Sequence, residues 1–169
     1  TSRDDNERLH KERAERKWNA RIYDGFPIRN WDKWRDDRRA RLFILALNAD
    51  GTPQGLAINL FATSSLAAAP GFAGRNTNDG EAFDAVFTPD GQSLVFVATN
   101  NQDAAAYEFV RTALYRQDLA GGEPRLLTPG EDSFETPRFS PDGRTLFARR
   151  EPRTDKVYNS MRLVASPWG

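Results

Sequence analysis

The sequence contains no cysteine, one histidine and one methionine among its 169 residues. The absence of cysteine excludes disulfides, thiolate metal sites and a cysteine nucleophile, and it is compatible with both a cytoplasmic and a periplasmic location. No apolar run approaches the roughly 20 residues of a membrane span, and 24 basic residues balance 24 acidic ones. We therefore expect no membrane partner and no nucleic-acid partner, because a nucleic-acid-binding chain carries clustered positive charge.

A short motif occurs twice. "FTPDGQSLVFVATN" begins at Phe87, and "FSPDGRTLFARRE" begins 52 residues later at Phe139. Proline presets φ, aspartate bonds its own backbone, and glycine adopts φ > 0 without strain, so Pro-Asp-Gly favours a tight turn between two strands. The pattern predicts hairpins over 87–99 and 139–150, with turn residues Pro89, Asp90 and Gly91 in the first and Pro141, Asp142 and Gly143 in the second.

The stretches around these motifs repeat as well. Residues 41–62 and 112–130 each read as a strand, a turn containing glycine and a second strand, and residues 157–169 begin a further version. The period is near fifty residues, and four-stranded antiparallel units repeated at about 40–50 residues are typical of β-propeller blades. The sequence predicts an all-β fold, an incomplete β-propeller of about three four-stranded blades over 21–169. A β-sandwich is the alternative, since regularly spaced strands suit it too.

Residues 1–20 differ in composition from the remainder. They are rich in helix formers, and Ser2 and Asp5 have the spacing of a capping box. The sequence predicts a charged helical segment here, solvated on most sides, preceding the propeller. Acidic residues interleave with the basic ones throughout, which disfavours the alternative of a nucleic-acid-binding helix.

An aromatic segment connects this helix to the first strand. It reads "IYDGFPIRNWDKW" and brings Arg29 together with Trp31 and Trp34. One interpretation is that the aromatic side chains cover the gap between two blades. The other is that these three residues face a ligand channel or a partner, because Trp and Arg most often anchor recognition. The sequence leaves both open.

These residues carry a resemblance to a known family. The segment from Lys11 to Phe61, with "FPIRNWDKW", "RLFILAL" and "INLFA", followed by "NDGEAFDAVFTPDGQSLVFVA", resembles the propeller of the prolyl oligopeptidase family of serine peptidases, in its dipeptidyl-peptidase and acylaminoacyl-peptidase branch. The Pro-Asp-Gly motif is shared with periplasmic Tol-type propellers. The "IRNWDKW" segment leading into a strand is more specific.

The resemblance implies a two-domain hydrolase in which a propeller limits peptide access to an α/β-hydrolase domain. In that family a Ser-His-Asp triad in the hydrolase domain performs the chemistry, with serine in a G-x-S-x-G elbow. This chain has no such elbow, and its one histidine, His10, lies in the charged segment, where a solvated side chain is expected. We therefore expect no catalytic residue and no cofactor in this chain.

Three acidic groups in the sequence are candidate metal sites. Asp4 with Asp5 and Asp36 with Asp37 are adjacent pairs, whose side chains diverge on a helix or strand. The oxygen-rich stretch 76–81 reads "NTNDGE", and an ordinary connection is the competing interpretation to a cation site. We expect no metal site.

Two functional hypotheses result. The first is a propeller segment of a serine exopeptidase, whose partners are the peptide substrate, the remaining blades and the hydrolase domain. The second is a non-catalytic, protein-binding propeller of the Tol type. In both, about three blades form an open arc with apolar flanks, so self-association of the chain is also expected.

Overall fold

The computed structural model describes residues 3–20, 22–23, 29–30, 32–34, 39–77, 80–156 and 158–169. These residues are mostly β, in several small antiparallel sheets that follow an N-terminal helix. The α-helices are α1 (Arg3–Ala14) and the one-turn α2 (Ser65–Ala68), and a short 3-10 helix spans Gln102–Ala104. The strands are β1 (Arg29–Asn30), β2 (Lys33–Trp34), β3 (Phe43–Leu47), β4 (Pro53–Asn59), β5 (Arg75–Thr77), β6 (Gly80–Ala82), β7 (Val86–Phe87), β8 (Ser93–Ala98), β9 (Ala113–Asp118), β10 (Arg125–Leu126), β11 (Ser133–Phe139), β12 (Thr145–Glu151) and β13 (Arg162–Pro167).

Helix α1 occupies Arg3–Ala14 of the predicted segment 1–20. Acidic residues lie in its first turn and basic residues in its last, which complements the helix dipole. Arg8 Nη1 donates to Glu12 Oε1 at 2.7 Å, one helical turn away. No helix among the residues described is both long enough and apolar enough to span a membrane.

The largest sheet has four strands in the order β10-β9-β8-β7, a simple antiparallel meander. Its central strand β8 is the apolar run after the first Pro-Asp-Gly turn, and every residue of β8 is buried. Strands β8 and β9 pair along six residues, from Ser93 opposite Asp118 to Ala98 opposite Ala113. We call this sheet the first sheet.

The second sheet has three strands in the order β11-β12-β13. Its middle strand β12 follows the second Pro-Asp-Gly turn, and β13 pairs with it from Thr145 opposite Pro167 to Arg150 opposite Arg162. Strand β11 is irregular between Glu135 and Arg138, where the register shifts. The C-terminal residues thus add a third strand to this sheet, in the position that β9 has in the first.

The core lies on both faces of the first sheet. On one face, Phe96 and Tyr115 pack against the segment that contains Phe61 and Phe72. The other face of the first sheet packs against the second sheet, through a cluster of buried residues made of Val95, Val97, Leu114, Leu146 and Ala148. The two sheets are therefore stacked face to face, and this contact positions the sites described below.

The remaining strands form two-stranded hairpins. Strands β3 and β4 pair from Phe43 opposite Asn59 to Leu47 opposite Pro53, as the reading of 41–62 as a hairpin requires. Most of their residues are exposed, and Leu56 is 91% exposed. Strands β1 and β2 pair with each other, as do β5 and β6.

The architecture differs from the prediction in strand count and closure. The prediction was about three four-stranded blades, whereas the residues described form one four-stranded sheet, one three-stranded sheet and three two-stranded hairpins. None of these sheets closes on itself, and a propeller is not confirmed. Sequence periodicity located the hairpins because their turns are local, but it could not determine how many strands join each sheet.

Candidate functional site

The first Pro-Asp-Gly turn is held by an internal hydrogen-bond network. Gly91 N donates to Thr88 O at 2.8 Å, and Gly91 has φ 67°. The Thr88 hydroxyl donates to Asp90 Oδ1 at 2.6 Å, and Gln92 N donates to the same oxygen at 3.0 Å. These hydrogen bonds, that from Thr88 first, lower the pKa of Asp90. The aspartate therefore acts as a structural acceptor in the turn.

The second turn repeats this network. Gly143 N donates to Ser140 O at 2.9 Å, and Gly143 has φ 71°. The Ser140 hydroxyl donates to Asp142 Oδ1, and Arg144 N donates to that oxygen at 3.1 Å. The hydrogen bond from Ser140 is the largest cause that lowers the pKa of Asp142. Pro89 and Pro141 take the same position in their turns, directly before the aspartates.

The two turns also contact each other. A Cβ added to Gly143 would lie 2.8 Å from Pro89 Cβ and 3.0 Å from Pro89 Cγ, whereas a Cβ added to Gly91 would have no neighbour within 4 Å. The first distance is shorter than real Cβ contacts and the second is at their lower limit, so a side chain at Gly143 would force one turn to shift against the other. The turn glycines therefore have different roles, because only Gly143 lies at the contact between the stacked sheets.

A second repeated feature lies at the edge strands, just before β7 and within β11. Asp84 has φ 46° and Thr136 has φ 48°, and they are the only non-glycine residues with positive φ among those described. The two positions are 52 residues apart, so they are equivalent in the repeat. Such backbone costs about 1–2 kcal/mol for a residue with a side chain. Strained backbone at equivalent places in two sheets indicates a constraint set by the surroundings.

A charged cluster lies at this edge. Arg75 donates from Nε to Asp84 Oδ2 at 2.9 Å and from Nη2 to Asp84 Oδ1 at 3.1 Å. Both side chains are largely buried, and Glu135 adds a further negative charge near the guanidinium. The hydrogen bond with Asp84, more than any other cause, raises the pKa of Arg75. The two-pronged contact explains why Asp84 accepts a strained conformation.

The aromatic segment is described in part. Arg29 and Trp34 are paired across β1 and β2, and the Arg29 guanidinium carbon lies 5.7 Å from the centre of the Trp34 ring. Tyr23 stacks on Trp34 with ring centres 6.1 Å apart. Arg29 is exposed and Trp34 is 50% exposed, while Trp31 lies outside the described residues. The structure therefore joins two of the three predicted recognition residues in one cation–π contact.

The loop between β9 and β10 is tied to helix α2. The Ser64 hydroxyl donates to Glu123 Oε2 at 2.7 Å, and Ser65 N and Leu66 N donate to the same carboxylate. These hydrogen bonds, the Ser64 contact first, lower the pKa of Glu123 to about 2. The carboxylate satisfies backbone N–H groups that a short helix leaves without partners, as a capping residue does.

A cavity of about 580 Å³ opens between the two sheets. Leu114 and Leu127 line it from the first sheet, and Leu146, Val164 and Trp168 line it from the second. Its lining includes one ion pair, in which Asp132 accepts from Arg150; Asp132 also accepts from the backbone N–H of Arg153. The cavity lining is therefore mostly apolar.

Among the residues described, the other candidate positions carry no assembled site. His10 is exposed on α1, and Asp4 and Asp5 are in the first turn of the same helix. Asp36 and Asp37 lie outside the described residues, as do two residues of the 76–81 stretch. In the described part of the chain, no group of three or more His, Asp or Glu side chains is placed to hold a metal ion.

Sequence reasoning missed three features: the Arg75–Asp84 pair, the Glu123 cap and the cavity. The cap joins residues 59 positions apart, and the cavity lies between separate sheets, so no local pattern marks either of them. The 52-residue repeat pairs Asp84 with Thr136, but the two residue types differ, so the alignment marks neither their positive φ nor the contact with Arg75. No protein-family model, no curated protein and no solved structure matches this chain.

Proposed function

We propose that this chain is a propeller segment of a serine exopeptidase of the dipeptidyl-peptidase or acylaminoacyl-peptidase type, which gates substrate access to an α/β-hydrolase domain. The observation that supports it best is the stacking of two equivalent meanders, with the Pro-Asp-Gly hairpins 52 residues apart and Pro89 of one turn against Gly143 of the next. Face-to-face stacking of repeated antiparallel meanders is the way propeller blades pack. The peptidase assignment rests on the resemblance of the "FPIRNWDKW" segment.

The edge strands support a gating role. Strands β7 and β11 are the first strands of their sheets, and first strands line the central channel of a propeller. Asp84 directly precedes β7, Glu135 is part of β11, and Arg75 of β5 bonds Asp84; all three are charged and only partly exposed. A channel wall with fixed charges of both signs would select among peptides by their charged termini.

The catalytic part of the proposal is tested with an activity-based probe. The purified 169-residue chain should not react with a fluorophosphonate, because it contains no G-x-S-x-G elbow and its single histidine is exposed on α1. A parent protein that contains this chain should react, and its sequence should contain G-x-S-x-G followed by Asp and then His. Stoichiometric serine labelling of the chain itself would refute this division of roles.

The access role is tested in the same parent protein with Arg29→Ala and Trp34→Ala. Because both side chains are exposed, their removal should lower kcat/KM for peptides by more than it lowers stability. Tyr107→Ala is a matched control, since Tyr107 is an exposed aromatic residue in the loop between β8 and β9, outside the proposed access surface. Unchanged kinetics with a lowered melting temperature would leave only a packing role.

A parent protein without the elbow would favour the alternative, a non-catalytic propeller of the Tol type that binds a protein. In that case, pull-down of a protein partner by the unsubstituted chain and by the Arg75→Ala variant would replace the kinetic assay.

A further inference from the structure

The two repeats differ in the connection that leads into the first strand of each sheet. In the second repeat, residues 127–132 alone separate β10 from β11. In the first repeat, residues 60–79 separate β4 from β6, and they contain α2 and β5. The first sheet therefore carries an insertion that the second sheet does without.

The insertion interrupts a strand that is continuous in the second sheet. The residues equivalent to β11 are 81–87, which are divided between β6 and β7. The two sheets still agree at one position, because Glu135 lies opposite Arg149 and, at the equivalent place, Val97 N donates to Phe83 O at 2.6 Å. The first sheet therefore follows the repeat back to Phe83 and departs from it before that residue.

The inserted chain takes over the next position on β8. In the second sheet, Ser133 lies opposite Glu151. At the equivalent position, Thr99 instead exchanges two backbone hydrogen bonds with Ala73 of the insertion, at 2.8 and 3.1 Å. Strand β6 is thereby separated from β8 and pairs with β5. We call this two-stranded hairpin, β5 with β6, the arm.

Close backbone approach fixes the base of the arm. A Cβ added to Gly74 would lie 2.9 Å from Ala82 O, and a Cβ added to Gly71 would overlap Asn100 O. Glycine has no side chain, so the inserted backbone can lie this close to β6 and to the loop that follows β8. The base of the arm is therefore packed tightly at the end of the first sheet.

Arg75 ties the arm to the first strands of both sheets. Its guanidinium makes the two-pronged contact with Asp84, directly before β7. The hydrogen bond with Asp84 and, as a smaller cause, the negative charge of Glu135 on β11 raise the pKa of Arg75. A two-pronged contact between arginine and a carboxylate sets orientation as well as distance. Arg75 therefore holds the arm in one position relative to both sheets.

The arm itself contributes little to the hydrophobic core. None of the described residues of β5 and β6 is fully buried, and residues 76–81 include no apolar side chain. The second sheet forms its first strand without such an arm. The arm is therefore not required to build a sheet, and polar connections positioned by a rigid scaffold are the segments that most often carry function.

We infer that the arm is a wall at the edge of the channel that restricts the entry of long peptides, and that Arg75 is the positioning residue that holds it there. The inference rests on the proposed function, because first strands line a channel only if the stacked sheets are propeller blades. The arm precedes β7, the first strand of its sheet, and leaves the sheet at the end of β8 away from the Pro-Asp-Gly turn. A polar wall at this place limits peptide length and does not select apolar side chains.

The experiment shortens the arm in a parent protein that contains this chain. Arg75 lies opposite Ala82, so replacing residues 76–81 by Asn-Gly closes the hairpin with a two-residue turn and keeps the Arg75 contact. The values of kcat/KM are measured for a short chromogenic peptide and for a long peptide with the same amino-terminal residues. Shortening the arm should raise the long-to-short ratio of kcat/KM at least about tenfold.

Substitutions of Arg75 test the positioning role. Arg75→Ala should raise the same ratio, and Arg75→Lys should raise it less, because lysine keeps the charge but not the two-pronged contact. In the shortened arm, Arg75→Ala should change the ratio no further. Arg116→Ala is the control, because Arg116 pairs with Asp118 near the opposite end of the first sheet, and it should leave the ratio unchanged.

Hydrogen exchange gives a readout that needs no activity. In the 169-residue chain, Arg75→Ala should speed the exchange of the β5 and β6 amides and leave the exchange of the β8 amides unchanged. Unchanged exchange in the arm would show that Arg75 does not hold it.

The kinetic outcomes separate this inference from the peptidase proposal. A parent protein that cleaves both peptides with the same ratio in every variant would overturn the role of the arm and leave the peptidase proposal standing. A parent protein that cleaves neither peptide would overturn both.

Discussion

The contact between the two Pro-Asp-Gly turns predicts that their glycines respond differently to the same substitution. Gly91 and Gly143 have φ of 67° and 71°, so an alanine at either position must adopt left-handed backbone, at about 1–2 kcal/mol. At Gly91 nothing else changes, because the added Cβ would have no neighbour within 4 Å. We therefore expect Gly91→Ala to lower the free energy of unfolding by about 1–2 kcal/mol.

At Gly143 a second cost is added. The new Cβ would lie 2.8 Å from Pro89 Cβ, and the ring cannot turn away as a flexible side chain would. Relieving this overlap requires a shift of one turn against the other, which for overpacked contacts costs about 1–3 kcal/mol. Gly143→Ala should therefore lower the free energy of unfolding by about 2–5 kcal/mol, the two costs together.

Urea denaturation of both variants measures the difference, with equal slopes as the condition for comparison. A double-mutant cycle identifies its cause, because Pro89→Gly removes both contacting carbons. In that background, Gly143→Ala should cost no more than Gly91→Ala. The contact between the turns would be refuted if the two substitutions lowered the free energy of unfolding equally in the otherwise unsubstituted chain. It would also be refuted if their difference persisted in the Pro89→Gly background.

Two further predictions concern charge and exposed apolar surface. Hydrogen bonds from the start of α2, that of Ser64 first, hold the pKa of Glu123 at about 2, against an ordinary value of 4.5. The stabilisation from the ionised Glu123 carboxylate is therefore complete above pH 4.5 and is lost as the pH falls toward 2. The melting temperatures of the unsubstituted chain and of Glu123→Gln should differ at pH 7 and converge over that interval. Glu131→Gln is the control, because Glu131 is exposed. Leu56 and Ile58 of β4 are exposed, so the isolated chain should bind a hydrophobic dye and self-associate in sedimentation velocity, and lysine at both positions should reduce both effects. If the unsubstituted chain is a monomer that does not bind the dye, the β-sandwich is favoured over the propeller.

The sequence by itself determined the features that depend on a few neighbouring residues. Each Pro-Asp-Gly turn is closed by bonds within five or six residues, such as Ser93 N to the Thr88 hydroxyl and Thr145 N to the Ser140 hydroxyl. Strand β8 consists almost entirely of apolar residues, and this composition by itself predicts that both of its faces are buried. The helix at the N-terminus depends on helix formers and on pairs one turn apart.

Only the tertiary structure decided which of these local units meet. The close approach of Pro89 to Gly143, the cap of α2 by Glu123 and the cavity beside β13 each join residues that are distant in sequence. Nothing in a local pattern encodes such a contact, because it depends on how the faces of separate sheets pack. The same reason explains the strand count: alternation and turns predict hairpins, whereas the number of strands in a sheet depends on which edges find a partner.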